Sequence, residues 1–152
     1  MVTFEKLTVE NIYIAEEIVN SNPAYNKMEN GCESRSTEEV KEDLLNEKSE
    51  AFFIKADDTY IGLIDYMMLN EKDGYPWLGY LMIHGDYQGY GYGTSAYLLY
   101  EQQMRNRGVE IIRLAVLKEN DSAKNFWKRL GFNYYTDKPF KNTFVECFEK
   151  KI

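Results

Sequence analysis

Apolar and polar residues alternate along this chain with two periods, and the switches between them mark out its elements. Residues 2–7 read as a short strand. Thr8 can then cap a helix to about residue 20, with Ile12, Ala15 and Val19 at helical spacing. Ser21, Asn22 and Pro23 end it. The stretch 23–35 is rich in Asn, Glu and Gly without a period, which predicts a loop. Ser36 with Glu39 forms a capping box for a second helix to about residue 45. Residues 51–55 and 60–67 are apolar strands joined as a hairpin at Asp57 and Asp58.

Residues 76–83 are almost entirely apolar, as expected of a strand buried on both faces in the middle of a sheet. A helix over 94–107 carries Tyr97, Tyr100 and Met104 on one side and is closed by Gly108. A strand over 109–117 follows. Ala123, Phe126, Trp127 and Leu130 then recur at helical spacing until Gly131. Residues 132–135 and 143–149 read as a closing strand pair around a turn at Asp137, Lys138 and Pro139. This order predicts one α/β domain over residues 1–152. Its sheet should be mixed and largely antiparallel, with about seven strands flanked by about four helices, a meander first and a βαβ unit later.

Composition narrows the function classes. The chain is 44% hydrophobic and 28% charged, an ordinary globular balance. No apolar run is long enough to span a membrane, and the first residues lack the basic start and apolar stretch of a signal peptide. Cys32 and Cys147 are too few and too isolated for a disulfide framework or a zinc site, so a cytoplasmic location without a metal is expected. A net charge of −7 argues against nucleic acid and is compatible with cationic amines.

The most informative stretch lies between the apolar strand at 76–83 and the following helix. Gln88, Gly89, Tyr90, Gly91, Tyr92, Gly93 and Thr94 place glycine at alternate positions directly before a helix start. Such a backbone lets a ligand approach closely and offers it unpaired N–H groups and the positive end of the helix dipole. It suits a pyrophosphate. It is also compatible with a tight turn that binds nothing. A Walker loop is excluded because no Gly-Lys-Ser/Thr follows, and the glycine spacing is not that of a dinucleotide fingerprint.

Gln88, Gly91 and Gly93, together with Asn120, Ala123 and the pair Gly131-Phe132, resemble the two motifs of the GCN5-related N-acetyltransferases, the GNAT family. The resemblance implies acetyl-CoA as acyl donor. Backbone amides from Gly89 through Tyr90, Gly91, Tyr92 and Gly93 to Thr94 would hold its pyrophosphate, as Gln88 opens the turn. Met82 and Ile83, at a strand end splayed from its neighbour, would offer backbone groups to the pantetheine. Asn120 and Ala123 would meet the pantetheine arm, although Asn120 also suits a helix cap. Phe126 and Trp127 would line the donor, although their spacing alone predicts core packing.

The chemistry is less complete. The family commonly uses a Tyr as acid on the last helix, where this chain has Trp127, and a Glu or His as base at positions held here by Gly79 and Trp77. An indole N–H is too weak an acid for that role. The remaining candidates are His84, Asp86, Tyr80, Tyr90, Tyr134 and Tyr135, with His84 and Tyr134 foremost. An acceptor site is expected from the loop 23–35 and its flanks, with Tyr25, Glu29, Glu33 and Arg35, and with Asp65 and Tyr66 of the hairpin. These acidic and aromatic groups suit a small-molecule or peptide amine. The resulting expectation is direct acetyl transfer to a primary amine in a ternary complex. The alternative is a regulatory module that binds acyl-CoA without turning it over. The chain's 13 Tyr and 8 Phe could also support a homodimer contact.

Overall fold

In the computed structural model, which describes Met1–Ile152, seven strands form one sheet in the order β1-β2-β3-β4-β5-β7-β6. They are β1 (Val2–Lys6), β2 (Glu50–Ala56), β3 (Thr59–Met67), β4 (Trp77–Ile83), β5 (Ile111–Leu117), β6 (Asn133–Phe140) and β7 (Thr143–Lys151). Five helices cover the sheet: α1 (Ile12–Asn20), α2 (Pro23–Asn30), α3 (Thr37–Leu44), α4 (Tyr92–Asn106) and α5 (Asp121–Arg129). Every neighbouring strand pair is antiparallel except β4 with β5. The fold is thus the mixed sheet that the pattern predicts, with one helix more. None of the helices is long and apolar enough to cross a membrane.

Strand side chains alternate between faces, so the sheet builds two cores. On one face Ala51, Phe53, Leu63 and Met82 pack against Ile12, Ala15 and Ile18 of α1 and Val40 and Leu44 of α3. On the other, Ile64, Leu114 and Val116 meet Tyr97, Tyr100 and Met104 of α4 and Trp127 of α5. The α4 stripe is fully buried, as its spacing predicts.

Three local expectations are corrected. Residues 23–30, expected within a loop, form α2, with Pro23 in its first turn and Gly31 ending it. Its buried residue is Asn26, whose Nδ2 donates to the carbonyls of Val19 at 3.0 Å and Glu33 at 3.1 Å. A helix anchored by a polar side chain leaves no apolar period to read. Helix α4 begins at Tyr92 rather than Thr94. The turn expected at 137–139 lies inside β6, and the chain reverses instead after Phe140, with Lys141 at φ 52. Pro139 is tolerated in β6 because that strand is the sheet edge.

Gly62 of β3 lies opposite Ile83 of β4. A Cβ there would collide with the Met82 carbonyl oxygen. Gly62→Ala is therefore expected to lower the unfolding free energy by about 2 kcal/mol, the scale of overpacking in a fixed core. Urea titration checks this, and an unchanged midpoint would mean that the two strands part freely.

Candidate functional site

The parallel neighbours β4 and β5 share one bridge, Trp77 with Arg113, where the Arg113 N–H donates to the Pro76 carbonyl at 3.1 Å. The Arg113 side chain locks this closed end. Its Nη1 donates to Asp73 Oδ2 at 3.1 Å and its Nε to Glu149 Oε1 at 3.0 Å. Its guanidinium lies 3.9 Å and 4.6 Å from the ring centroids of Tyr75 and Tyr135. Trp77 Nε1 donates to the same Asp73 oxygen at 2.8 Å. Burial alone would raise the Asp73 carboxyl, but hydrogen bonds from Tyr75, Trp77 and Arg113 outweigh it and hold the group below its usual range. Beyond this clamp the strands diverge around a cavity of about 960 Å³, large enough for an extended ligand.

The glycine turn closes one end of that cavity. Gly89 and Gly91 have φ 86 and 84, the left-handed region that favours glycine. A Cβ on either would meet nothing within 4 Å, so backbone conformation rather than packing demands them. No side chain caps α4, and its first bond runs from the Ser95 N–H to the Gly91 carbonyl at 3.1 Å. The N–H groups of Tyr92, Gly93 and Thr94 are thus left for an anion. Gln88 fixes the turn in place: its Nε2 donates to Asn22 Oδ1 at 2.6 Å and to the Ile83 carbonyl at 3.0 Å. Asn22 Nδ2 donates to that same carbonyl at 3.2 Å.

Every residue expected at the donor site lines the cavity except Tyr90, which is 74% exposed. Asn120 caps α5, its Oδ1 accepting from the Ala123 N–H at 3.2 Å, which leaves its amide nitrogen for another acceptor. Trp127 belongs to the core and to the cavity wall at once, edge-to-face with Tyr97 at 5.5 Å and Phe132 at 5.4 Å.

A pocket of about 180 Å³ beneath α2 and α3 adjoins the cavity, sharing Tyr25, Glu29, Gly79 and Tyr80 with it. Tyr25 and Tyr80 meet edge-to-face at 6.3 Å. Burial, reinforced by the Glu29 carboxylate, pushes both phenols far above their ordinary range, so they stay protonated. Arg35 is already engaged by Asp43 at 2.6 Å and Glu39 at 3.4 Å. Glu29 and Asp65 are the lining carboxylates without a cation partner. Asp65 Oδ1 is shielded from solvent with no hydrogen-bond partner, and burial pushes its carboxyl up to about 6. It lies beside a bulge: Asp65 pairs with Tyr80 and Tyr66 with Leu78, so Gly79 is the extra residue of β4.

Of the expected acceptor and catalytic residues, Glu33, Asp86 and Tyr135 line neither space, and three others are built into other parts of the structure. Tyr66 is 3% exposed on the opposite face, with Phe52 at 5.8 Å and Tyr100 at 5.2 Å, because neighbours in a strand point to opposite sides. His84 Nδ1 accepts from the Asp86 N–H at 3.0 Å, which directs the Nε2–H to Glu17 at 2.9 Å. It fastens α1 to the end of β4 and does not line the cavity. Tyr134 donates to Asp137 at 2.9 Å on the edge strand, also outside it. The anchors Asn22 and Asn26 escape sequence reading, since a polar residue in a polar stretch carries no signal. Asp65 does carry one, as a charge inside the apolar run 60–67.

The strand order, the single parallel pair opened above one bridge, and the glycine turn at a helix start together define a class of transferase fold. The chain belongs to the acetyltransferase (GNAT) family, whose sequence profile matches residues 13–132. None of the curated proteins matches it in sequence. Among solved structures it is similar to an acetyltransferase of Thermus thermophilus, with a TM-score of 0.87 at 21% identity over 100% of this chain and 97% of that one. It is also similar to the PaiA N-acetyltransferase of Thermoplasma acidophilum in complex with coenzyme A, with a TM-score of 0.74 at 21% identity over 100% and 99%. The ribosomal-protein-S18-alanine N-acetyltransferase of Escherichia coli aligns with a TM-score of 0.76 at 18% identity over 100% and 94%.

The raised Asp65 carboxyl has a consequence for stability. Its folded pKa of about 6 lies above the unfolded value, so the cost of burying the charge is present above pH 6 and absent below about pH 4. Asp65→Asn is expected to stabilise the protein by up to about 2 kcal/mol at pH 8, with the gain vanishing near pH 4. Urea titrations at the two pH values check this, and a gain independent of pH would contradict it.

Proposed function

We propose that the protein is an acyl-CoA-dependent N-acyltransferase that moves acetyl from acetyl-CoA to a primary amine by direct attack in a ternary complex. One observation carries the reading: the cavity lined by the glycine turn and the separated β4 adjoins, at Tyr25, Glu29, Gly79 and Tyr80, a pocket with two carboxylates that no cation pairs. The N–H groups of Tyr92, Gly93 and Thr94 would bind the donor pyrophosphate, and the freed edge of β4 together with Asn120 would receive the pantetheine amides. The related Thermoplasma structure holds coenzyme A, and the Escherichia coli relative is named for an alanine acceptor, which supports a CoA donor and an amine acceptor. Glu29 and Asp65, with the Tyr25 and Tyr80 rings, suit an ammonium group at the far end. Neither cysteine is needed for a covalent intermediate: Cys32 is exposed and lines neither the pocket nor the cavity, and Cys147 is buried.

Gly79 and Trp127, at the positions where the family commonly carries its base and acid, favour the second reading, a module that binds acyl-CoA without turnover. The two separate on whether CoA is released. Isothermal calorimetry with acetyl-CoA is expected to show micromolar binding, weakened about tenfold or more by Gly93→Asp, which puts a negative charge against the pyrophosphate. An acid in the first turn favours the helix itself, so folding is retained. A thiol-reactive dye then reads CoA release with a panel of primary amines. Binding without release supports the module, and absence of binding removes both readings.

A further inference from the structure

The acceptor nitrogen and the thioester carbonyl must meet where the acidic pocket joins the cavity between β4 and β5. Tyr25, Glu29, Gly79 and Tyr80 form that junction. Gly79 contributes no side chain, and the space beside it is entered from β3: Asp65 Oδ2 lies 3.4 Å from the point where a Cβ on residue 79 would stand. The other oxygen, Oδ1, is buried without a hydrogen-bond partner, although the Ser49 hydroxyl lies near the carboxyl. A carboxylate left so costs stability unless a ligand supplies the donor. We propose that Asp65 is the general base of the transfer, acting from β3 across the bulge at Gly79. The assignment rests on the acyltransferase reading above.

The acceptor enters as an ammonium ion, and one N–H proton passes to the Asp65 carboxylate. The freed lone pair forms the C–N bond to the thioester carbonyl carbon. When the C–S bond breaks, its electron pair stays on sulfur, and the second N–H proton of the former amine neutralises that thiolate. Asp65 afterwards loses its proton to water, so the products are the amide, CoA thiol and one released proton.

Several groups face Asp65. Burial raises its proton affinity most, the Ser49 hydroxyl and then Lys6 of β1 lower it, and Asp43 of α3 raises it. Glu29 of α2 adds negative charge to the pocket, Arg35 is held by Asp43 and Glu39, and Tyr25 and Tyr80 remain neutral phenols. The base is competent only when ionised, so kcat/KM falls as pH drops through about 6.

Benzylamine, a small primary ammonium with a flat apolar face to match the Tyr25–Tyr80 wall, serves as probe acceptor. Asp65→Asn is expected to lower kcat/KM by about a hundredfold and to remove the acid limb of the pH profile. The affinity for acetyl-CoA should be unchanged and the unfolding midpoint no lower. Adding Gly79→Glu to that variant should restore part of the rate and an acid limb, a rescue that a merely structural Asp65 would not allow. Carbon-13 NMR of aspartate-labelled protein, assigned with Asp65→Asn, should show this carboxyl titrating near 6. An Asp65→Asn variant within about threefold of wild type, or one that keeps the acid limb, overturns the assignment. So does a wild type that binds acetyl-CoA, leaves benzylamine unchanged and shows no movement of the Asp65 resonance when benzylamine is added. A wild type that fails to bind acetyl-CoA instead overturns the acyltransferase reading itself.

Discussion

A parallel strand pair that touches at one rung is an unfinished ladder, and the rest of this molecule is arranged around keeping it unfinished. β4 cannot swing toward β5 because its other edge is committed to β3 over most of its length. β5 is held away by seven successive partners on β7. The Arg113 cluster pins the vertex, where two carboxylates and two aromatic rings immobilise one guanidinium. Above that rung the inner edges are not paired strand to strand, the Ile83 carbonyl being taken instead by Gln88 and Asn22, and backbone left out of a ladder is what a ligand rich in amides can satisfy. The helix start at Gly91 extends the same logic, with donors exposed by geometry rather than by side-chain chemistry.

The acceptor side uses the opposite physics. Its groups are side chains whose ionisation is shifted by exclusion of water. Tyr25 and Tyr80 stay neutral, while Asp65 is held as an expensive anion shielded from water. A bulge makes this possible. By adding Gly79 to β4 it clears the space beside Asp65 without breaking the ladder on either side. Stability given up at such a point is typical of groups kept for what they do rather than for folding.

The strands, the α4 stripe and the glycine turn were legible because each is written in a local period or a residue type that few backbones need. Helix α2 was not, because its anchor is Asn26 reaching backwards to Val19 and forwards to Glu33, a relation between distant backbone carbonyls. Pro139 misled for a related reason. It signals a turn by itself, and only the position of β6 at the sheet edge makes it acceptable in a strand. Tyr66 adjoins Asp65 in sequence, whereas the pleat sends Asp65 to the pocket and Tyr66 to the core. His84 is the lone histidine, yet its two ring nitrogens are both occupied in fastening the chain.

The same Pro139 limits what the molecule can do with copies of itself. Phe140 and Thr143 close the β6–β7 hairpin as partners, and Pro139 lies one step further out, where the strand's backbone turns away from β7. Its ring nitrogen thus stands where an outward N–H would otherwise be on offer. The register also shifts between Tyr134 and Thr136, breaking the regular spacing of the rim. A strand from another molecule laid along β6 would find neither an even row of donors nor a flat border, so growth of the sheet into stacked aggregates is discouraged at this side.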